Sequence, residues 1–411
     1  MIFIKRFVVM CLVIIAVSLS FSGCAMTDYI NQLALKIDEN DETEVEIITE
    51  EYYISSPEFD SCYKSLNATQ KEIYKKIYSA CEEMPSGYVR ICKEYSNAVT
   101  DITIAYRAVL NDNPDIFWMP DTYVIGKKSR KGYIKKDICL AFEYKKSNGK
   151  TAKYIVTRKE RDKMRKQLNQ VVDTVVANAA KLEGEFEKEK YFNDYICANT
   201  EYGSDEKFIN TSYGCLVNKK ALCEGYSRSF KLLCNKAEIE CDLIVGSADG
   251  DGHMWNSVNI DGKHSYVDVT WNDRPDYPYF YFNITDEQLK FDHIISPLYT
   301  EVTEKQIKSG LSFNFVKRVC SYVGNGYYEK YGYVLGDDFE REYAEKAAEQ
   351  ITQNVNGGEK YTDFWLKNDK IKKEFIDDEK GFIRSIQRKL PGIRISSYAF
   401  QRDILVIYCN E

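Results

Sequence analysis

An α+β fold is predicted, and three observations predict it. Residues 65–109 and 159–190 carry apolar side chains at helical spacing. Residues 253–270 form two alternating runs around Asp261-Gly262, a two-residue hairpin signal. Between them Tyr226, Phe230, Leu233 and Ala237 line one face of a helix that begins close to Cys223. A core helix near Cys223 and a hairpin over 253–270 are therefore expected, flanked by N-terminal and C-terminal regions of mixed helix and strand.

Taken in order, residues 1–23 are expected to be an export signal. Lys5 and Arg6 precede the apolar run Phe7 to Leu19, which is short for a membrane span. Ser20-Phe21-Ser22-Gly23-Cys24 resembles a bacterial lipobox, with Phe21 where Leu is usual, and makes Cys24 the expected lipidation site. The alternative is an uncleaved N-terminal anchor helix. Either way the body is expected at the outer face of the bacterial cytoplasmic membrane. Residues 24–56, acidic around Asp38-Glu39-Asn40-Asp41-Glu42, are assigned to a polar tether.

In residues 57–190, Ile73, Ile77 and Cys81 recur four apart, and Val89, Cys92 and Tyr95 follow at threefold spacing, which predicts helix through 109. Strands are expected over 133–144 and 153–157, then one long helix over 159–190. Residues 191–300 are the expected catalytic core. Residues 310–411 predict a small α/β domain with a helix over 338–355 and strands over 393–396 and 404–407. The tyrosine-rich stretch Gly326 to Tyr333 fits either a binding strip or, more commonly, packing against a sheet face.

Composition narrows the chemistry. Loss of the signal leaves 54 basic against 63 acidic residues, a net charge of −9, which argues against a nucleic-acid partner. Of 13 cysteines, Cys11 leaves with the signal and Cys24 is taken by lipid. The remaining eleven are an odd number, so at least one thiol is expected outside intrachain disulfides, and several are expected as buried thiols. There is no CxxC and there are only three histidines, so no zinc site, other metal or cofactor is expected. Asp249-Gly250-Asp251-Gly252 reads as a tight turn rather than a calcium loop.

The candidate site grows from Cys223. A cysteine at a helix start meets unpaired N–H groups and the positive end of the dipole, both of which favour thiolate and could serve a developing oxyanion. On its own it is more simply a buried or bonded thiol. Its weight comes from His253. With Asp261-Gly262 as the turn, Ile260 faces Lys263, and Asp268 falls opposite Trp255, one diagonal step from His253 on the same face. A carboxylate inside an alternating strand asks for a partner. His264 is expected to be solvated near the hairpin tip, and His293 to have a loop or packing role. Asp251, Asp273 and Asp276 are weaker candidates for the orienting acid.

Quoted together, Tyr213-Gly214-Cys215 with Ala221-Leu222-Cys223-Glu224-Gly225-Tyr226, then Gly252-His253-Met254-Trp255-Asn256, then Tyr266-Val267-Asp268-Val269-Thr270-Trp271, resemble the transglutaminase-like superfamily in its bacterial extracellular lipoprotein form. The resemblance covers roughly residues 190–285. It implies a papain-like α+β core, an antiparallel sheet packed on a central helix, with Cys223 as nucleophile, His253 as base and Asp268 as orienting acid. It also implies that Tyr213 lies near the oxyanion and that Trp255 and Trp271 wall the cleft, although both tryptophans are equally well explained as core. The activity implied is a cysteine protease, amidase or acyltransferase acting through a Cys thioester on peptide, protein or peptidoglycan stem-peptide amides. The alternative is a non-catalytic envelope protein that binds wall polymer or protein through the cleft and its tyrosines.

Overall fold

Asn67 and Gln70 exchange side-chain and main-chain hydrogen bonds, a capping box that opens the helix Ala68–Glu83. The computed structural model describes residues 33–36, 45–46, 61–120, 123–128, 137–142, 144–145, 151–152, 154–203, 207–274, 279–335, 343–401 and 403–410. Residues 1–23, expected to be a signal, and Cys24 lie outside them, and no helix among the described residues is long and apolar enough to cross a membrane.

The fourfold stripe Ile73, Ile77, Cys81 is buried as its spacing predicts. The helical expectation fails just beyond it. Met84 adopts a left-handed conformation that ends the helix, and Tyr88–Lys93 is a strand with Val89 and Ile91 inward. Helix resumes at Ala98–Asp112. A five-stranded sheet runs in the order Leu33–Lys36, Tyr123–Lys128, Asp137–Phe142, Tyr88–Lys93, Val45–Glu46. Its two outer strands fall inside the stretch assigned to the tether, and each pairs in parallel with its neighbour.

Residues 154–157 are not the expected strand. Thr157 and Glu160 instead form a capping box for the helix Arg158–Ala179. The single helix expected over 159–190 is two, because the chain turns at 180–183 and Gly184, at φ 79°, opens a second helix, Gly184–Asn199.

The helix Cys223–Lys236 follows, then a four-stranded antiparallel sheet in the order Lys263–Val267, Asp251–Ile260, Cys241–Ala248, His293–Ile295. One apolar core runs from Ile73 and Trp118 of the N-terminal unit to Phe230 and Leu233 of the cysteine helix. Polar ties cross the same boundary. Ser212 Oγ donates to Pro114 O at 2.8 Å, and Arg228, paired with Glu224 at 2.8 Å, donates to Leu110 O. The N-terminal unit thus buttresses the helix that carries the cysteine.

Beyond it, a four-stranded sheet is ordered Tyr333–Leu335, Tyr361–Leu366, Ile404–Asn410, Arg394–Gln401. The helices Tyr343–Asn356, Asp369–Asp377 and Glu379–Gln387 bury one face of it through Ile351, Phe375, Phe382 and Phe364. This is the α/β region expected from alternation. Its other face, with Val406 and Ile404, packs into the cluster that holds Trp255, Tyr266 and Tyr281 of the central unit. The tyrosine-rich stretch largely serves packing: Tyr328 is buried and Tyr327 stacks on Tyr279 at 4.0 Å, although Tyr331 and Tyr333 remain exposed.

Candidate active site

The hairpin sets the geometry. Asp261 and Gly262 both have positive φ, 50° and 77°, as a type I′ turn requires. The register then runs from Ile260 opposite Lys263 to Asn256 opposite Val267, as the spacing predicts. The return strand, expected to run to Thr270, stops at Val267. Asp268 is the cap of a helical turn, Val269–Asn272, and its Oδ1 accepts the Trp271 N–H at 3.1 Å. Its Oδ2 lies 2.7 Å from His253 Nε2. Both side chains are buried, His253 at 4% exposure and Asp268 at 1%.

Cys223 opens its helix behind Leu222, whose side chain offers no cap. The chain at Ile209 and Thr211 presses against this helix start: a Cβ on Gly225 would stand 2.5 Å from Ile209 O. Leu222 N–H donates to the same Ile209 O at 2.9 Å. One turn along, Ser227 Oγ lies 2.8 Å from Met254 O, and Asn256 Nδ2 donates to Ser227 O at 3.0 Å. These bonds fasten the cysteine helix to the strand beside His253. Cys223 itself is 2% exposed and packs with Leu243, Val245 and Met254. None of the described cysteines is in a disulfide.

His253 turns Nε2 to Asp268, which leaves Nδ1 as the nitrogen for proton exchange with a thiol. Burial alone would raise the Asp268 carboxyl. The neighbouring His253, followed by the hydrogen bond from His293, outweighs it and holds the group well below the usual carboxylate range.

His293 is the residue that sequence reasoning misplaced. It is buried, with Nε2 3.2 Å from Asp268 Oδ2 and Nδ1 2.5 Å from Asp292 Oδ1. Burial pushes its pKa down, yet the hydrogen bonds to Asp268 and Asp292 raise it overall. Its strand pairs Ala248 with His293, while the other edge of Cys241–Ala248 pairs Gly246 with His253, so the two imidazoles share a face of the sheet. No local motif marks this strand, and only the pairing order of a short edge segment could have revealed it.

His264, expected to be solvated, is half-buried, and burial lowers its pKa. Asp273 accepts from Tyr226 Oη at 2.7 Å and so serves a different partner. Asp276 lies outside the described residues.

Aromatic rings close around the imidazoles. Trp255 is fully buried, lies near-parallel to the His253 ring at 6.0 Å and meets His293 edge-on at 4.9 Å. Trp271 stands 5.6 Å from His253 and 4.7 Å from His293. Both tryptophans therefore border the site while also packing. A Cβ on Gly246 would lie 2.7 Å from the Trp255 ring and 2.1 Å from Ile294 O, so only glycine fits beneath that ring. Tyr213 is committed elsewhere: its hydroxyl donates to Gln167 at 2.9 Å and its ring packs on Phe117 and Phe208.

His253, Asp268 and His293 also offer three ligand-type atoms within 4.8 Å of one another. Both Nε2 atoms sit at hydrogen-bond distance from the same carboxylate oxygen, so N–H···O bonding already accounts for them. The arrangement can orient an imidazole, raise its basicity and shelter a thiolate-imidazolium pair.

Residues 169–271 match the model of the transglutaminase-like superfamily. Mouse kyphoscoliosis peptidase is 28% identical over 123 residues, a match spanning 25% of this chain and 18% of that protein. A solved transglutaminase structure aligns over 36% of this chain and 44% of its own, at 16% identity and a TM-score of 0.25. A Cytophaga hutchinsonii protein described as a candidate cysteine protease aligns over 25% of this chain and 38% of its own, at 21% identity and a TM-score of 0.23. This chain thus spans less than a fifth of the curated relative and under half of each solved structure.

Proposed function

We propose, from the premise that residues 169–271 belong to the transglutaminase-like superfamily, that Cys223, His253 and Asp268 form a thiol acyl-transfer site acting on peptide or protein amides. The observation that carries this reading is the buried 2.7 Å contact between His253 Nε2 and Asp268 Oδ2, on a strand fastened to the cysteine helix. His253 Nδ1 takes the Cys223 proton, and the thiolate attacks the amide carbonyl. The tetrahedral oxyanion meets the N–H groups of the helix start. Collapse of that intermediate breaks the C–N bond, and His253 returns its proton to the leaving amine. Water or a second amine then attacks the thioester and regenerates the thiol. Asp268 holds the ring tautomer and stabilises its cationic form.

The substrate we favour is an envelope peptide, such as a peptidoglycan stem peptide, met at the outer face of the cytoplasmic membrane. The apolar run Phe7 to Leu19 and the lipobox-like Ser20-Phe21-Ser22-Gly23-Cys24 that follows it support that placement. Burial of Cys223 favours a second reading, a closed cleft that binds envelope polymer or protein without turnover.

Iodoacetamide labelling of the chain from Cys24 onward, mapped by mass spectrometry across pH, separates the two. Selective labelling of Cys223 below pH 7, lost in His253→Ala, is the expected result. Cys223 reacting no faster than the other thiols overturns the enzymatic reading.

A further inference from the structure

Both ring nitrogens of His293 face carboxylates. Asp292 Oδ1 lies 2.5 Å from Nδ1 and Asp268 Oδ2 lies 3.2 Å from Nε2. An ionised carboxylate only accepts hydrogen bonds. Asp268 already accepts from Trp271 N–H on Oδ1 and faces His253 on Oδ2. Asp292 accepts the Tyr281 hydroxyl on Oδ2 at 2.7 Å. Two accepting partners require two N–H groups on the ring, which is the imidazolium form.

We propose that His293 is a positioning residue. As an imidazolium strung between Asp292 and Asp268, it fixes the carboxylate that orients His253 and places a positive charge beside the thiol pair. This inference rests on the reading of Cys223, His253 and Asp268 as that pair.

The charge has a direction of effect. The two imidazole rings are 5.7 Å apart, centre to centre. A cation at that distance opposes the positive charge on His253 and favours the thiolate, so it moves both limits of the ion-pair window to lower pH. Sharing Oδ2 acts the same way, because Asp268 has less acceptor strength left for His253. The charged groups facing His293 are Asp268 from the helical-turn cap, Asp292 from its own segment and His253 from the adjacent strand. The Tyr281 ring packs on His293 at 5.4 Å while its hydroxyl donates to Asp292, and Trp255 and Trp271 also border the imidazole. Burial lowers the basicity of His293, and the two carboxylates more than restore it.

The test uses the pH profile of Cys223 alkylation in the chain from Cys24 onward. In His293→Gln the acid limb is expected to move up by about one pH unit, so labelling at pH 5.5 falls about tenfold while the alkaline plateau stays within about twofold. Asp292→Asn, which keeps the imidazole, is expected to shift the same limb in the same direction. A merely structural role would lower the amplitude without moving the limb. A His293→Gln profile superimposed on the unmodified one, with low-pH reactivity still lost in His253→Ala, overturns this inference alone. Low-pH reactivity surviving in His253→Ala overturns the underlying reading instead.

A second measurement needs no variant that must fold. The chain has three histidines, so imidazole ¹⁵N spectra can be assigned directly. Both nitrogens of His293 protonated at pH 7 is the expected signature, and a neutral tautomer there overturns the proposal.

Discussion

Ser227 Oγ lies 2.8 Å from the carbonyl oxygen of Met254 and donates to it, fastening the cysteine helix to the strand one residue past His253. The same hydroxyl lies 2.9 Å from Cys223 O, one turn back, so a single proton serves two neighbouring acceptors. Ser227→Ala removes a buried donor and is expected to cost about 1 kcal/mol of stability. Because the lost bond also sets the distance between the two elements, alkylation of Cys223 at pH 6 is expected to fall several-fold. Urea unfolding and labelling rates, measured on the same sample, check both parts. A stability loss with an unchanged labelling rate would separate the bond from the alignment of the site.

Asp268 ties the site to stability through pH. Its folded carboxyl is held below the usual range, so the stability it contributes is fully present above its unfolded value, near pH 4, and drains away as pH falls below that. His293 is raised when folded, so its contribution is complete below its unfolded value, near pH 6.5, and is lost as pH rises through the higher folded value. Asp268→Asn should flatten the acid side of the stability curve and lower Cys223 reactivity below pH 7 by about a hundredfold or more. Thermal unfolding from pH 3 to 8 measures the first effect. An acid limb that keeps its steepness in the variant would assign acid unfolding to other carboxylates.

Gly246 pairs with His253 across the sheet, and the Trp255 ring lies over it. A methyl group there meets Ile294 O and the ring at distances no relaxed side chain tolerates, so Gly246→Ala is expected to displace the edge strand or the tryptophan. Either movement disturbs His293 or His253. The expected cost is about 1–3 kcal/mol of stability, with a changed tryptophan emission spectrum. Unaltered emission at full stability would show that the strand absorbs the methyl group elsewhere.

The hairpin was legible because its two faces and its turn residues agree. Asp261-Gly262 demands a two-residue turn, and a register one residue off would move His253 and Asp268 onto opposite faces. Helical periodicity located Ile73 to Cys81 for the same reason, a repeated face with one buried side. It misled at Val89 and Cys92, whose threefold spacing mimics a helical face although Val89 alternates with Ile91 in a short strand, and local sequence could not weigh the sheet that recruits it. At Asp268 the cap of a helical turn overrode strand alternation, with the side chain still delivered to His253. His293 was hidden because its role depends on a three-residue edge strand whose partner lies far back in the chain.

Asp363 offers a test of how the C-terminal sheet joins the central unit. It lies between Tyr361 and Trp365 on a strand whose inward face, Phe364 and Leu366, belongs to the helix-covered core. Its side chain therefore shares the face turned toward Tyr328 and the Trp255 cluster. Its Oδ1 is buried without a hydrogen-bond partner, and burial pushes the carboxyl up to about 7. Unfolded, the same group ionises near pH 4. Between these values the folded chain holds a proton that the unfolded chain releases, so stability falls as pH rises and the full penalty is reached above about pH 7. Asp363→Asn removes that ionisation while leaving the shape of the side chain. The variant is expected to be more stable than the unmodified protein at pH 8 by on the order of 1–3 kcal/mol, allowing for solvent screening, with the gap closing near pH 4. Melting temperatures of the two proteins at both pH values decide it, and a gap of equal size at pH 4 and pH 8 would refute ionisation as the cause.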